Sequence, residues 1–550
     1  MLKTLLLSAF CLGSLSIFGQ DLKTSVENIR KYTKEVKLAK ETISQELTSE
    51  AGKPGVLTLK KTFAEAKAKS TSMEYYFDLG FFDISQLERV ASKTEILIVI
   101  KTTDKLNAVQ VLENGILKNF SNKVEFHVDN ADDARELEKY LKSAIKLAKA
   151  ESEESLKIPA SFADQCKILE KNIRSYDVYG QVVEQSIVFD KTLKDRAIIQ
   201  SKMVDNGKTD ERTYDFSFGD LSESLTELDI KGKTISITSS CNDKNKYIRV
   251  TEKGKVSYEK EVRFFMQNPS EAKNLSMILK KLITNAKKEV QNRTPKDSQN
   301  NPKALAGIAD FQVNENQYTQ SIGKECVCQY KRNAVLKGKS IEELYTFNWG
   351  DLQDFEIVIK KDYPSIEAST VDKLKFIALT EKNEKKSFIK EIAFYVADIE
   401  AARQLLPAAQ ALAKSCKQTV KGESFQWLAD KLKGANLEGI SQTLELQESD
   451  NQSKWKFTVI ENLGKKSRET VYEFNIADLD VSKNDFIVER SNLAVSILTK
   501  DKEKLIKTKE DGKSSFRNEV LFLVSNAEDV KKINATIKGI LGKKVESKKI

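Results

Sequence analysis

Few residues in this 550-residue chain could carry chemistry alone, and each has a competing structural use. The single histidine, His127, could act as a general base, a role that imidazole fills near neutral pH. It stands in an alternating run, "KVEFHVDN", and the equivalent places of three similar phrases hold Phe265, Tyr395 and Leu523. Bulk, not basicity, is therefore the shared requirement. Without a second histidine there is neither a His-rich metal site nor a set of Ser-His-Asp triads. "DNADDARELE" gathers Asp129, Asn130, Asp132 and Asp133 as a calcium loop would, but it lacks the glycine and terminal glutamate of an EF-hand. It reads as a helix start, where carboxylates meet the positive end of the macrodipole. Cys326-Val327-Cys328 puts two thiols on one strand face, without the spacing of a C-x-x-C redox pair or the further ligands a metal needs. No phosphate loop, H-E-x-x-H or G-x-S-x-G occurs. Hydrolysis by two well-placed carboxylates needs no such motif and stays open. The expectation is a non-enzymatic protein with no catalytic, cofactor-binding or metal-ligating residue.

The sharpest polar pattern is a set of repeated aspartates. Tyr214-Asp215-Phe216 precedes Asp220-Leu221, Tyr345-Thr346-Phe347 precedes Asp351-Leu352, and Tyr472-Glu473-Phe474 precedes Asp478-Leu479. In the first instance Phe77 and Leu79 are matched to the aromatic places before Asp83-Ile84. Asp83, Asp220, Asp351 and Asp478 are then equivalent, with periods of 137, 131 and 127 residues by subtraction. Four ligand contacts is one reading. The preferred one is a turn in which an aspartate caps backbone amides two residues on and ends the strand.

What positions these residues is a tandem repeat. A second phrase follows each aspartate after 40 or 41 residues: "KVEFHVDNADDA" at 123, "EVRFFMQNPSEA" at 261, "EIAFYVADIEAA" at 391 and "EVLFLVSNAEDV" at 519. Each alternates like a half-buried strand and then meets a helix cap, Asn130, Asn268, Asp398 or Asn526. Beyond the cap, Ala272, Leu275, Ile278, Leu279, Leu282, Ile283 and Ala286 recur at helical spacing, as do Ala134, Leu137, Leu141, Ile145 and Ala148. Ser161 and Ser424 are placed to cap a short opening helix carrying Phe162 and Leu169, or Phe425 and Leu432. Strand-like runs lie between. The fold class expected is α+β: four tandem repeats, each an antiparallel sheet or barrel with an opening and a closing helix. That element order resembles the pleckstrin-homology-like barrel in outline, and the resemblance carries no ligand.

The periods exceed those of solenoid units, so each copy should hold its own core. Composition places the copies at residues 20–155, 156–290, 303–418 and 419–550, with a linker at 291–302. The start, "MLKTLLLSAFCLGSLSIFGQD", reads as a secretory signal over residues 1–19, cleaved after Gly19, and no later run is apolar for 18 residues. A secreted or periplasmic location follows, and the low cysteine and high lysine content resembles a bacterial envelope protein. Five cysteines remain beyond the signal: Cys166, Cys241, Cys326, Cys328 and Cys416. Bonds within the second or third copy are available, and an odd total leaves a thiol over. The formal charge of +9 becomes +8 once Lys3 leaves, with both signs interspersed, which argues against nucleic acid as a partner. The expected function is binding or scaffolding in the envelope, with an unknown protein or ligand as partner. A carrier or sensor of an apolar ligand and a hydrolase using paired carboxylates are the alternatives.

Overall fold

The alternating runs become antiparallel strands in the computed structural model, which describes residues 21–547 except 39–40, 66–69, 93–94, 156, 179, 206, 294–307, 324, 361, 382–385, 450–451 and 490–491. The signal segment at 1–19 and most of the expected linker lie outside the described residues. The chain divides into two compact units, Met1–Arg293 and Thr294–Ile550. Among the described residues no helix is long and apolar enough to cross a membrane.

The first unit opens with α1 (Leu22–Tyr32), capped by Asp21, whose carboxylate accepts from the Thr24 amide at 2.7 Å. Strands β1 (Val36–Lys37), β2 (Glu41–Glu50), β3 (Lys53–Glu65) and β4 (Thr71–Asp78) pair in sequence. The chain then leaves this sheet for a second one. It lays down β5 (Glu88–Ala91) and β6 (Ile96–Lys101), and returns with β7 (Val109–Glu113) and β8 (Ile116–Ser121) beside β4. Strand β9 (Lys123–Val128) pairs β6 and runs into α2 (Ala131–Ser155). A six-stranded sheet, order β1-β2-β3-β4-β7-β8, thus faces a three-stranded one, order β5-β6-β9.

The same arrangement of sheets recurs. Tyr176–Glu259 and Phe311–Ile389 each form a six-stranded sheet of that order, Ile440–Arg517 a five-stranded one lacking the first strand, and each has its three-stranded companion. The helices α3 (Phe162–Asn172), α4 (Pro269–Arg293), α5 (Ile399–Cys416), α6 (Phe425–Lys433) and α7 (Ala527–Ser547) accompany these groups. Ser161 and Ser424 cap α3 and α6. Asn130, Asn268, Asp398 and Asn526 accept from amides at the starts of α2, α4, α5 and α7 at 2.8–3.0 Å. The apolar stripe read for α4 is buried throughout, as is that of α2.

Two corners let the chain change sheets. The first is a single 3-10 turn: Leu79–Phe81, Phe218–Asp220, Trp349–Asp351 and Ile476–Asp478. The end of the following helix packs so closely on it that a Cβ on Gly350 would lie 2.4 Å from the Cys416 carbonyl oxygen. The second corner places Asp104, Asp243, Asp372 and Asp501 at φ of 50–54°, a left-handed conformation that aspartate tolerates through local hydrogen bonding.

A glutamine, buried in the first, second and fourth groups and half-buried in the third, seals the two sheets of each group. Gln45 donates to the His127 carbonyl (2.8 Å) and accepts from its amide (3.0 Å). Gln185 does the same at Phe265, and Gln442 at Leu523. Gln320 donates to the Tyr395 carbonyl at 3.2 Å, while its own oxygen takes the Tyr330 hydroxyl. Each amide therefore satisfies backbone groups that a continuing strand would otherwise pair.

Candidate functional site

The repeated aspartates do not share one role. In the first corner the cap is the residue three before the aspartate: Ser217, Asn348 and Asn475 accept from the amides of Gly219, Gly350 and Ala477 at 2.9–3.0 Å. Asp220, Asp351 and Asp478 close the turn instead of capping it. In the first group the cap is Asp78, accepting from Gly80 at 2.8 Å, so the residue in the aspartate's place is Phe81. Asp83 lies two residues further on and caps a separate turn, Ile84–Gln86, through the Ser85 amide at 2.9 Å. Its identification with the other three does not hold. Phe77-Asp78 aligns with Phe216-Ser217, and the "FFD" that follows displaced the sequence match.

The corners do more than turn the chain. Within the first unit, the start of α4 reaches the first group's corner: Ser270 Oγ donates to Asp78 at 3.1 Å and Lys273 Nζ to the Gly80 carbonyl at 3.1 Å, with the ammonium 4.9 Å from the Phe81 ring centre. Within the second unit, the start of α7 reaches the third group's corner in the same way. Lys531 Nζ donates to both oxygens of Asp351 (2.9 and 3.0 Å) and to Glu528 (2.6 Å), and Asn348 donates to Glu528 at 2.9 Å. Lys273 and Lys531 both stand five residues after their helix caps. Burial pushes the Asp351 carboxyl up from its usual range, an effect Lys531 opposes. Beside this polar contact Phe376 and Phe388 of the third group join the core of the fourth, Phe376 packing on Phe486 with ring centres 5.6 Å apart. We refer to this arrangement as the joint.

A row of residues, polar in three of the four groups, lies in the larger sheets next to the glutamines. Gln45 pairs Lys61, Gln185 pairs Ser201, Gln320 pairs Arg332 and Gln442 pairs Val459. Lys61 is 1 % exposed, 5.4 Å from the Tyr75 ring centre, and burial brings its ammonium down to about 8 despite the charges of Glu125 and Glu95. His127, close by, has Nδ1 3.4 Å from Glu95 and is pushed down to about 4 by burial and by Lys61. Neutral, wedged against Phe63 and held by its backbone to Gln45, it fills the structural place expected of it. Arg332 donates to Glu343, to the Tyr345 hydroxyl at 2.7 Å and to the Ala393 carbonyl at 3.3 Å, its guanidinium 3.9 Å from the Tyr395 ring centre. Arg332 is thus paired with Glu343, whereas burial of Lys61 is opposed only by the more distant charges of Glu125 and Glu95.

Two grooves lie along the six-stranded sheets of the first unit. One, of about 560 Å3, runs over the first six-stranded sheet at Thr58, Glu74, Tyr76 and Gln110 and ends on Asn268 and Glu271 at the start of α4. Tyr76 donates to Glu50 at 2.8 Å, Lys60 lies 3.4 Å from Glu74 and Arg174 lies 3.7 Å from Glu271. The other, of about 310 Å3, lies along the second sheet and is lined from both of its faces, by Glu184, Ser186, Gln200 and Lys202 and by Gln185, Ser201 and Arg212. Among the described residues no group of His, Cys, Asp and Glu is arranged to hold a metal. Cys326 and Cys416 form a disulfide across 90 residues, while Cys166, Cys241 and Cys328 are buried free thiols. Burial raises Cys166 and Cys328 to about 12, which leaves them unreactive. The chain matches no family model, and a search of curated proteins finds no relative.

The glutamines went unread in the sequence, although each precedes its partner by 75 to 82 residues. So did the Asp-Lys pair at the second corner, written "TTDK", "CNDK", "TVDK" and "TKDK".

Proposed function

We propose that the chain is an exported, non-catalytic binding and scaffolding protein of the bacterial envelope, made of four tandem α+β copies, each pleckstrin-homology-like in outline. Its binding surface is the outer face of the six-stranded sheets. The observation that carries this reading is the groove shared by the first two copies, where Thr58, Glu74, Tyr76 and Gln110 of one meet Asn268 and Glu271 of the other. An open channel with polar walls and one aromatic suits an extended polar ligand, a glycan or peptide segment, better than the enclosed apolar pockets in which small molecules usually sit. The joint supports the scaffolding half: it holds the first copy to the second and the third to the fourth, so weak contacts on paired sheets act together.

The polar lining of both grooves weighs against an apolar passenger in either. The hydrolase reading keeps one observation, two glutamates in one groove, and each of these already faces a cation. The test is binding of the chain to arrays of envelope glycans and peptides. Tyr76→Ala and Glu271→Lys should each abolish the signal while leaving the circular dichroism unchanged. Lipid carried by the purified chain in native mass spectrometry would support the carrier instead, and release of cleaved array material would support the hydrolase.

A further inference from the structure

The joint has two sides, and the four groups carry each side twice more than the two units use internally; the presenting side of the fourth group and the receiving side of the first stand uncovered. The presenting side in the third copy consists of Asn348 and Asp351 at the corner with Phe376 and Phe388 beside them, both aromatics 5 % exposed. The fourth copy has the same set in the same places. Asn475 and Asp478 form its corner; Leu505 stands six residues after Thr499 as Phe376 does after Thr370; and Phe516 pairs Lys507 as Phe388 pairs Ala378. Here the set is uncovered, with Leu505 41 % and Phe516 58 % exposed. Two large exposed apolar side chains at the places of Phe376 and Phe388, in the group whose corner carries a half-buried carboxylate, mark an interaction surface.

The receiving side in the fourth copy is Lys531, five residues after a helix cap, with Phe486 on the three-stranded sheet. In the first copy the place of Lys531 is held by Arg135, whose side chain is 64 % exposed and paired only locally with Asp132. The place of Phe486 is held by Arg89, on strand β5, which is exposed along its whole length. Arg89 is bonded to Glu138 at 2.6 Å, which holds its guanidinium at the surface. The uncovered presenting side thus offers one carboxylate, Asp478, and two apolar side chains next to Lys504, Lys507 and Arg517, of which Lys507 lies 3.7 Å from Glu473 and Arg517 3.4 Å from Glu510; the uncovered receiving side carries two guanidinium groups, one of which can pair with that carboxylate while the other lies flat on Phe516.

We propose that these two surfaces meet between molecules: the fourth copy of one chain docks on the first copy of a second, repeating the internal joint. Asp478 would replace Asp132 as the partner of Arg135, as Asp351 takes Lys531. Such a contact joins unlike surfaces, so it extends head to tail unless its rotation happens to close a ring. This inference stands on the joint alone and does not depend on any ligand in the grooves.

Sedimentation velocity of the chain over a concentration series, at low and high salt, tests it. The expected result is a sedimentation coefficient that rises progressively with concentration and less steeply at high salt, because exposed charges are screened. Arg135→Glu or Asp478→Lys alone should weaken association by about tenfold or more, and Phe516→Ser likewise. The chain carrying both Arg135→Glu and Asp478→Lys should regain association, which no merely misfolded variant would do. A wild-type chain that stays monomeric at its solubility limit overturns the proposal, as does association indifferent to these substitutions or left unrestored by the charge exchange.

Discussion

Breaking the Cys326–Cys416 bond should lower the stability of residues 294–550 by a large and calculable amount. The bond ties the start of a strand to the last residue of α5 across 90 residues. Closing a loop of that length removes chain entropy from the unfolded state worth about 4.6 kcal/mol at 25 °C in the loop-entropy treatment. The bond also anchors the first corner, because the Trp349 amide donates to the Cys326 carbonyl at 2.9 Å while Gly350 lies against the Cys416 backbone. The perturbation is the double substitution Cys326→Ala and Cys416→Ala, compared with the wild type in guanidinium titrations. Tryptophan fluorescence isolates the relevant part, since the three tryptophans, Trp349, Trp427 and Trp455, all lie beyond residue 294. We expect a loss of about 3–5 kcal/mol, the lower figure allowing for the two cavities left by sulfur. Thiol titration of the unfolded wild type lacking residues 1–19 should find Cys166, Cys241 and Cys328 but not the bonded pair. A loss below about 1 kcal/mol would show that the helix end is held by packing alone, and the entropic argument would fail for this chain.

His127 gives an acid signature. Folded, it stays neutral down to about pH 4, whereas unfolded it takes a proton near 6.5, so the unfolded chain binds more protons between those values. Stability is therefore full above pH 6.5 and falls as pH drops towards 4, by up to about 3 kcal/mol, and His127→Phe should flatten that slope in urea titrations. Lys61 acts at the other end: with its ammonium brought down to about 8, stability should rise between pH 8 and 10.5, and Lys61→Met should add about 2 kcal/mol at pH 7 and less at pH 10. Ser217→Ala removes the cap at the second group's corner and should cost about 1 kcal/mol or more, whereas a cap at Asp220 would have put that cost on Asp220→Ala. Gly350→Ala forces a methyl group into the Cys416 carbonyl and should lower the melting temperature by an amount equivalent to about 1–3 kcal/mol.

The parts of this architecture legible in the sequence are those written within a few residues. The phrase from Glu261 to Ala272 contains a strand, a cap and a helix start in twelve positions, and Asn268 accepts from Glu271 as its spacing required. The run "QVVEQSIVF" reads as a strand, but with Val182 and Val188 on one face and Val183 and Ile187 on the other it does not say which face is buried, and nothing nearby says that the Gln185 amide seizes Phe265, 80 residues away. Long-range pairing of a neutral polar side chain leaves no local periodicity. The slip at Asp83 has a related cause. The "FFD" of the first group offers an aspartate two places late, and only the amide that Asp78 accepts from reveals which residue begins the turn. The joint was illegible for another reason: Lys273 and Lys531 are two lysines among many, and what distinguishes them is the corner each meets. A sequence shows a residue's own element, whereas a site between elements appears only when both are in place.

The glutamine seal bears on how such a chain can vary. Its amide reads only the backbone of the facing residue, and that residue is His127, Phe265, Tyr395 or Leu523 without disturbing the hydrogen bond to the carbonyl. Alignment of the two sheets is thereby uncoupled from the side chain at the seam. Because the amide carries no charge, the seam is also indifferent to pH and ionic strength, unlike the Lys531–Asp351 contact. Each group thus has a latch whose key is the peptide unit, leaving the interior beside it free to hold an ammonium, a hydroxyl, a guanidinium or a valine. Divergence of neighbouring groups into different interiors, at constant geometry, is what that arrangement permits.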